Sequence, residues 1–509
     1  MLLGGKTMRK LIALLLTSVM VLGQLAACGR KIPSETQKPA ELAETETAEK
    51  PAESAGEEIV SLKWITVGNG IPANYDDWKA AMDDYLEQKI GVHLEMEIVG
   101  WGDWDQRRSM IVSTNEPYDI IFGNNSTFYK DVNMNAFMDF TNMLDSVPGL
   151  RDFIPAAYWD TCKVNGGLYA VPTYKDSSAT FFFVYDVSLA KAAGVDYEHA
   201  QTLQEVEICL EKMYETETKN HKAGTPVFYV HKGGVDAIYG SRYDDISAGC
   251  PAVGVSYENG TPEVVSVFEQ DDIKKDLATL QDMYQKGYIN SDANILTETP
   301  RYNPCSIGQG WPSAADTVWG PNMGIDGLEC VAVQWGNTVL SNATVQGSLN
   351  SISAACKHPE KALQLLELVN TDSKVRDMLF YGLEGDNFHY TADGKVHKNN
   401  SEWTMAGYTQ GTFFNVSSLD TEDTNQWDEV KAQNESALPS PILGFSVNKE
   451  PISDELDAII SIFTAWRPAL MTGKDPNALD NMLFEMKDAG LDSVITEIQS
   501  QIDSWIAAR

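Results

Sequence analysis

Positive charge is what this sequence lacks most. Its 509 residues include 38 Lys and Arg against 73 Asp and Glu, which gives a formal net charge of −35 at pH 7. Nucleic-acid binding depends on Lys and Arg contacts to phosphates, and adhesion to anionic lipid depends on a basic patch. The composition therefore argues against a nucleic-acid partner and against electrostatic adhesion to a membrane surface.

Motifs of the common catalytic and metal sites are also missing. The sequence contains no H-E-x-x-H, no G-x-S-x-G, no P-loop and no G-x-G-x-x-G. Its seven histidines show no i, i+4 pair suited to zinc. The many carboxylates leave a glycoside-hydrolase pair open, but nothing in the sequence singles one out. We therefore predict no catalytic residue, no metal and no cofactor.

Cysteines are few, and their spacing indicates no site. After Cys28 six remain, and no two of them form a C-x-x-C pair. We expect small buried thiols, because isolated cysteines pack well in protein cores, while the spacing leaves any disulfide pairing open. The six are Cys162, Cys209, Cys250, Cys305, Cys330 and Cys356.

The N-terminus has the pattern of an exported protein. A short basic start precedes the apolar run 11–22, which is too short to span a bilayer comfortably. The run leads to Leu25-Ala26-Ala27-Cys28, so we predict a signal peptide over residues 1–27. These residues resemble the bacterial lipobox, and the resemblance implies that Cys28 is diacylated and anchors the chain to the membrane. An ordinary signal peptide with a chance cysteine is the alternative.

Residues 28–58 differ in composition from everything that follows. From Pro33 onwards the segment consists mainly of Glu, Thr, Ala, Pro and Ser. Such a segment buries too little apolar surface to offset the entropy of ordering, and its negative charges repel one another. We therefore predict a disordered acidic tether over residues 28–58, with the folded part beginning at residue 59.

An alternation of strands and helices opens the folded part. The apolar pattern predicts strands over residues 59–67, 92–99 and 118–122, with helices over 75–89 and 104–114 between them. This order is typical of a parallel α/β sheet with right-handed crossovers. Ligands of open α/β sheets bind at the carboxyl ends of the strands. Here those ends are the loops Gly68-Asn69-Gly70, Gly100-Trp101-Gly102 and Gly123-Asn124-Asn125-Ser126.

The rest of the chain continues with mixed elements. Asn165-Gly166-Gly167 predicts a hairpin turn, and residues 388–397 predict a second hairpin around Asp393-Gly394. Residues 226–231 predict a strand. The C-terminal tail is predicted to be mostly helical.

These pieces, in this order, resemble the extracellular solute-binding proteins of bacterial ABC importers. The likeness extends over nearly the whole chain, and it is closest to the large carbohydrate-binding lipoproteins of Gram-positive bacteria. Each motif is weak alone, but the ordered set together with the lipobox is fairly specific. The motifs are Leu25-Ala26-Ala27-Cys28, Tyr118-Asp119-Ile120-Ile121-Phe122, Gly167-Leu168-Tyr169-Ala170-Val171-Pro172, Lys286-Gly287-Tyr288-Ile289-Asn290, Lys357-His358-Pro359-Glu360-Lys361-Ala362-Leu363, Tyr381-Gly382-Leu383-Glu384-Gly385 and Gly490-Leu491-Asp492 leading to Gln501-Ile502-Asp503-Ser504-Trp505.

The resemblance implies a periplasmic-binding-protein-like fold. Two α/β lobes are joined by a multi-segment hinge, and the ligand binds in the cleft between them. The implied crossings lie near residues 172–179, 343–351 and 410. Lobe one then comprises residues 59–174 and 350–410, and lobe two comprises residues 175–345 and 411–509 with the C-terminal helices.

The resemblance also implies the function of a substrate-binding lipoprotein. Family members capture a ligand by lobe closure, lack catalytic residues, and deliver the ligand to a membrane permease. We therefore expect a monomer on the extracellular face of the cell membrane, with a carbohydrate as ligand and the ABC permease subunits as partners.

A carbohydrate site needs rings for the C–H faces of sugars and polar groups for the hydroxyl rim. Trp101 is the first candidate, because flanking glycines place it in a turn at a carboxyl-end loop. Trp335 is the second, because it also stands beside a glycine after a strand. The other candidates are Asn69, Asn124, Asn125, Tyr174, Lys175, Asp176, Trp311, Asn337 and Trp403.

Several of these candidates have a structural alternative. Asn69, Asn124 and Asn125 are also typical turn formers, so a turn is as good an explanation as a ligand contact. Lys175 has the alternative of a solvated charge, and Trp311 and Trp403 have the alternative of packing.

Two other functions stay open. A lipid-anchored surface glycoside hydrolase would need two carboxylates about 5–9.5 Å apart in the cleft. A binding protein for peptide or another polar solute would keep the fold, because peptide side chains also stack on aromatic rings.

Overall fold

The computed structural model of the protein describes residues 59–220, 225–246, 248–422 and 425–508. The predicted signal peptide, the lipidation site Cys28 and the tether lie outside these residues. No helix among the described residues combines the length and apolar content needed to cross a membrane.

The strands lie between residues 60 and 439. They are β1 (Val60–Gly68), β2 (Val92–Gly100), β3 (Ile120–Gly123), β4 (Lys163–Val164), β5 (Gly167–Leu168), β6 (Val171–Pro172), β7 (Ala179–Asp186), β8 (Tyr243–Asp244), β9 (Val253–Ser256), β10 (Val264–Ser266), β11 (Cys305–Gln309), β12 (Cys330–Leu340), β13 (Leu349–Ile352), β14 (Phe388–Tyr390), β15 (Val396–Lys398) and β16 (Leu438–Pro439).

Helices alternate with these strands and fill the C-terminal part. They are α1 (Tyr75–Ile90), α2 (Trp104–Thr114), α3 (Phe128–Asn133), α4 (Pro148–Phe153), α5 (Ala156–Thr161), α6 (Val187–Ala193), α7 (Leu203–Asn220), α8 (Ala237–Gly240), α9 (Asp271–Gln285), α10 (Gly320–Asn322), α11 (Asn342–Val345), α12 (Pro359–Thr371), α13 (Ser373–Tyr381), α14 (Gln426–Ser436), α15 (Ser453–Leu470), α16 (Ala478–Asp488) and α17 (Leu491–Ala507).

The first sheet has the order β2-β1-β3-β13-β6. Strands β2, β1 and β3 are parallel, and β13 runs antiparallel to its neighbours β3 and β6. β1 lies between β2 and β3 and is buried along most of its length, with Leu62, Trp64, Ile65 and Val67 in the core. Helix α1 ends at Gly91, whose φ of 65° lies in the left-handed region that glycine adopts without strain. Trp64, Trp78 and Leu366 belong to the core of this sheet.

The second sheet has the order β11-β7-β12-β16 and is organised around β7. β7 pairs antiparallel with both β11 and β12. Its side chains enter a separate core, and the C-terminal helices α15, α16 and α17 contribute Phe463, Met482 and Ile498 to it. The chain therefore has two α/β bodies, each with its own sheet and core.

Three stretches of chain connect the two sheets and touch one another. The first lies between β6 and β7, the second between β12 and β13, and the third leads into β16. The backbone N–H of Thr173 donates to the carbonyl of Ser348 at 3.0 Å. The Ser348 hydroxyl donates to the carbonyl of Tyr408 at 2.9 Å, and the Asn434 amide donates to the carbonyl of Lys175 at 2.5 Å. These contacts form a multi-segment hinge, while the lobe boundaries given above stay a prediction.

Several local predictions are tested by this structure. Helix α2 has the predicted bounds, and β4 and β5 form the predicted hairpin with Asn165 and Gly166 at φ 50° and 87°. β14 and β15 form the second predicted hairpin. The strand predicted over residues 226–231 is wrong, because only isolated bridges at Phe228 join this segment to Ile289 and Cys305.

The six cysteines after Cys28 are buried, as predicted, and all six are free thiols. Burial raises the pKa of the Cys162 thiol to about 12, so this thiol stays protonated and unreactive near neutral pH.

Candidate functional site

The predicted loops meet at one edge of the first sheet. β2, β1 and β3 are parallel neighbours, so Trp101, Asn69 and Asn124 follow adjacent strand ends. Leu349, at the start of β13, pairs with Gly123 at the end of β3 and with Pro172 at the end of β6. The first crossing follows β6 and the second precedes β13, so both adjoin this edge of the sheet. The topology therefore places the hinge beside these loops.

Trp101 and Asn69 form one unit at this edge. The indole of Trp101 is 52% exposed, and its Nε1–H donates to Asn69 Oδ1 at 2.9 Å. The indole is nearly parallel to the ring of Tyr408, at 15° and 6.3 Å between ring centroids. Tyr408 is half-buried and meets Phe122 edge-on at 6.3 Å. The hydrogen bond and the ring contacts fix the orientation of an aromatic surface that faces solvent.

A pair of charges lies beside this aromatic surface. Lys175 Nζ forms an ion pair with Asp176 and stands 5.6 Å from the centre of the Tyr408 ring. The pKa of Tyr408 is raised, first by burial and then by the negative charge of Asp176. The hydroxyl of Tyr408 therefore stays protonated near neutral pH and is available as a hydrogen-bond donor. The first crossing thus brings Lys175 and Asp176 close to the ring of Tyr408, which belongs to the third crossing.

Asn124 and Asn125 have different environments. Asn124 Oδ1 accepts from the backbone N–H of Ser126 at 3.1 Å and from its hydroxyl at 2.6 Å, which is a typical Asx turn. Asn124 thus shapes the loop. Asn125 is exposed, and only its backbone N–H is held, by the carbonyl of Gln346 at 2.9 Å.

A groove of about 870 Å³, lined mostly by polar residues, includes Asn125. One wall comes from α3 and the β4–β5 hairpin, and the other comes from residues 446–450, which precede α15. The phenol of Tyr129 accepts from the side-chain amide of Gln346 at 3.0 Å, and burial is the main cause of its raised pKa. The lining residues are Asn125, Ser126, Tyr129, Lys130, Asn133, Met134, Val164, Asn165, Ser446, Val447, Asn448, Lys449 and Glu450.

Two predicted site residues lie in the cores. Tyr174 is 6% exposed and packs edge-on against Tyr158 and Phe414. Trp335 is 1% exposed, because it packs against Phe183 and under the guanidinium of Arg242. In this conformation neither ring has a free face, so we do not include them in the proposed site.

Two further predicted tryptophans pack against other aromatic rings. Trp403 packs on Trp78, and its Nε1–H donates to the carbonyl of Leu379 at 3.0 Å. Trp311 packs on Trp427 with ring centroids 5.7 Å apart. The environments of these two tryptophans therefore match the alternative of packing.

Asn337 belongs to the second sheet and has a polar partner of its own. Its side-chain amide donates to Glu258 Oε1 at 2.8 Å. The structure does not bring this side chain to the aromatic surface at Trp101.

The sequence analysis missed Tyr408 and the groove. Tyr408 follows Gly407 close to the expected third crossing at residue 410, which was a usable signal. Its stacking on a ring about 300 residues earlier carries no local signal. Within the described residues no group of three or more His, Cys, Asp or Glu side chains is arranged to hold a metal ion.

Comparison with known proteins matches two parts of the chain. Residues 70–294 match the family of bacterial extracellular solute-binding proteins. Residues 441–507 match a domain of unknown function, DUF3502, which covers one wall of the groove and the C-terminal helices.

A curated relative matches nearly the whole length. It is a carbohydrate ABC transporter substrate-binding protein of Streptococcus pneumoniae serotype 4, 27% identical over 502 residues, which are 95% of this chain and 95% of the relative.

Solved structures show the same fold. The N-glycan transport solute binding protein NgtS from Streptococcus pneumoniae superposes with a TM-score of 0.77 at 24% identity, over 88% of this chain and 99% of that one. A second structure of NgtS, in complex with Man5GlcNAc, superposes with a TM-score of 0.66 at 23% identity and the same coverage. The predicted periplasmic-binding-protein-like fold of two α/β lobes is therefore confirmed. The resemblance seen in the sequence agrees with this fold, and residues 70–294 match the model of the bacterial extracellular solute-binding protein family.

Proposed function

We propose that this protein is the carbohydrate-binding subunit of an ABC importer and that it binds an oligosaccharide. The observation that carries the proposal is the exposed ring of Trp101, held by Asn69 and Tyr408 beside the charged pair Lys175 and Asp176. A flat ring bordered by directional polar groups matches a sugar, which has apolar C–H faces and a rim of hydroxyls. The carbohydrate-binding role of the curated relative supports this ligand class.

The proposed binding mode uses each group for one feature of a sugar. Trp101 covers one apolar face, because its indole is exposed and its orientation is fixed. Asp176 accepts hydrogen bonds from hydroxyls, and Asn125 both donates and accepts. Lys175 is buried and orients Asp176 through their ion pair. Asn69 is partly satisfied already, since its Oδ1 accepts from the indole, and its amide nitrogen remains for a ligand.

We propose that a longer glycan continues from the Trp101 surface into the groove, toward residues 446–450. Its amide side chains, Asn125, Asn133, Asn165 and Asn448, suit the hydroxyls of further sugar units. A ligand that contacts Asn125 and residues 446–450 together binds the closed arrangement better than the open one. Closure then follows from this difference in affinity alone.

Calorimetry with Man5GlcNAc tests the proposal. We choose Man5GlcNAc as the first probe because a solved structure of NgtS contains this glycan. We expect Trp101→Ala to weaken binding about tenfold, since a stacked ring contributes roughly 0.5–1.5 kcal/mol beyond its buried area. Phe484→Ala is the matched control, because Phe484 is a 76% exposed aromatic residue on α16 and should not affect binding.

Three outcomes would contradict this function. If the wild type binds no member of a glycan panel, its ligand belongs to another class, and peptides are the next ligands to test. Unchanged affinity in Trp101→Ala moves the site elsewhere. Release of shorter glycans by the purified protein identifies a glycoside hydrolase.

The remaining parts of the proposal concern the cell surface. A diacylated Cys28 anchors the chain outside the membrane, and the tether 28–58 lets a monomeric folded part reach the permease subunits. Cys28→Ser should move the protein from the membrane fraction to the medium. Its retention in the membrane fraction would contradict the lipid anchor.

A further inference from the structure

Two histidines face each other across the β14–β15 hairpin. His389 and His397 are directly opposed in the antiparallel register, and both are exposed. Their ring centroids are 4.9 Å apart with 46° between the ring planes. The two imidazoles are therefore neighbours on one face of the hairpin, where solvent reaches them.

Hydrogen bonds fix which nitrogen of each ring is free. His397 Nδ1 lies 2.7 Å from Asp420 Oδ2, and because a carboxylate only accepts, Nδ1–H donates. His389 Nδ1 lies 2.7 Å from Asn399 Oδ1. The other end of that amide, Nδ2, donates to the carbonyl of Asp386 at 3.0 Å, so the oxygen faces the ring and Nδ1–H donates again. Each neutral imidazole thus has its lone pair on Nε2.

The backbone holds these partners in place. The N–H of Asp420 donates to the carbonyl of Val396 at 2.9 Å, and the N–H of Val396 donates to the carbonyl of Ser418 at 2.9 Å. The segment with Asp420 is therefore attached to β15, next to His397. A metal-binding histidine typically has this arrangement, with Nδ1–H on a carboxylate or carbonyl oxygen and Nε2 directed at the metal.

We propose that His389 and His397 bind one divalent transition-metal ion through their Nε2 atoms. Imidazole nitrogen suits Zn²⁺, Cu²⁺ and Ni²⁺, whereas Ca²⁺ and Mg²⁺ prefer oxygen ligands. Two protein ligands leave the other positions to water, and the carboxylate of Asp420 adds favourable negative charge. The site links the two strands of the hairpin, and it is independent of the proposed carbohydrate function.

Calorimetric titration with ZnCl₂ tests the site in the full chain. All proteins carry Cys28→Ser, so that a free thiol does not bind the metal. We expect one Zn²⁺ per chain, and a loss of affinity of about tenfold or more in both His389→Ala and His397→Ala. Asp420→Asn should weaken binding but retain it, because an amide oxygen still orients the ring.

His199→Ala is the matched control. His199 is also exposed, and its Nδ1 lies 2.6 Å from Asp196 Oδ1, but no other imidazole of the described residues contacts its ring. Its loss should leave the stoichiometry and the affinity unchanged. The proposal is overturned if no Zn²⁺ binds, or if His199→Ala weakens binding as much as His389→Ala does.

Thermal unfolding separates metal binding from misfolding. Without metal, His389→Ala and His397→Ala should melt at the wild-type temperature, because both side chains are exposed. Zn²⁺ should raise the melting temperature of the wild type and of His199→Ala, but not that of the two variants. An equal increase in all four proteins contradicts the site.

Discussion

Asp244 shows what burial does to a single carboxyl group. It is 2% exposed, and its Oδ1 accepts from the backbone N–H of Ile246 at 3.0 Å. Burial raises its pKa to about 7, and the nearby charge of Asp245 acts in the same direction. In an unfolded chain an aspartate titrates near about 3.9. The folded protein therefore holds a proton at Asp244 over a range of pH in which the unfolded chain has lost it.

We expect Asp244→Asn to change how stability depends on pH. Between about pH 4 and 7 the folded state binds more protons at this position than the unfolded state does. The wild type therefore loses stability as the pH rises, and Asp244 contributes about 1.4 kcal/mol of this loss per pH unit. Asparagine carries no such charge. The free energy of unfolding of the variant, relative to wild type, should therefore increase from pH 5 to pH 7, as measured by urea denaturation.

The exposed Asp326 supplies the control for this measurement. Asp326→Asn should differ from wild type by the same amount at both pH values. A constant difference for Asp244→Asn as well would show that Asp244 is ionised in the folded protein throughout this range.

At the scale of the element, the third crossing is held by a buried arginine. Arg376 is fully buried on α13, and its Nε donates to the carbonyl of Thr412 at 2.6 Å while a second nitrogen donates to that of Gly407. Asn350 Nδ2 donates to the carbonyl of Thr409 at 3.0 Å. These contacts fix the segment that carries Tyr408, and so they act on the proposed glycan surface without touching it.

Gly411→Ala should disturb this segment. A Cβ at Gly411 would lie 2.5 Å from Val369 Cγ1 and 3.1 Å from the Val369 carbonyl oxygen, so the backbone must shift. We expect a loss of about 1–3 kcal/mol in the free energy of unfolding, as is typical of overpacking. Binding of Man5GlcNAc should weaken too, because Tyr408 is three residues away. Urea denaturation and calorimetry measure the two effects.

Gly123→Ala provides the comparison for stability. A Cβ at Gly123 meets no atom within 4 Å, so this variant should unfold within about 0.5 kcal/mol of wild type. If Gly411→Ala unfolds with the wild-type free energy, the segment is looser than its contacts indicate.

The elements also explain what the sequence predicts and what it does not. The parallel strands β1, β2 and β3 follow from local apolar alternation, and with them the edge that carries Asn69 and Trp101. Trp335 precedes Gly336, whose φ of 75° accompanies an irregularity in the pairing of β12, but the ring is buried by residues far along the chain. Exposure at such positions depends on tertiary packing, which a local pattern does not contain.

At the scale of the whole molecule, the two lobes share a hinge of three crossings. Trp101 and Tyr408 border the first sheet, while residues 446–450 belong to the chain that enters the second core. A glycan long enough to contact both has an affinity that depends on the distance between the lobes. A monosaccharide on Trp101 alone has no such dependence, since it contacts one lobe only.

Small-angle X-ray scattering should therefore distinguish long from short ligands. Saturating Man5GlcNAc should reduce the radius of gyration of the wild type, because a ligand bound across the groove favours the closed arrangement by the difference in its affinities for the two. A monosaccharide that calorimetry shows to be bound should leave the radius unchanged.

Two variants serve as controls for this measurement. Phe484→Ala should contract like the wild type. Asn448→Ala alters only the wall that precedes α15, so it should bind Man5GlcNAc more weakly and contract less at equal concentration. Full binding of Man5GlcNAc without contraction would mean that the glycan occupies one lobe alone, and the groove would then have no part in closure.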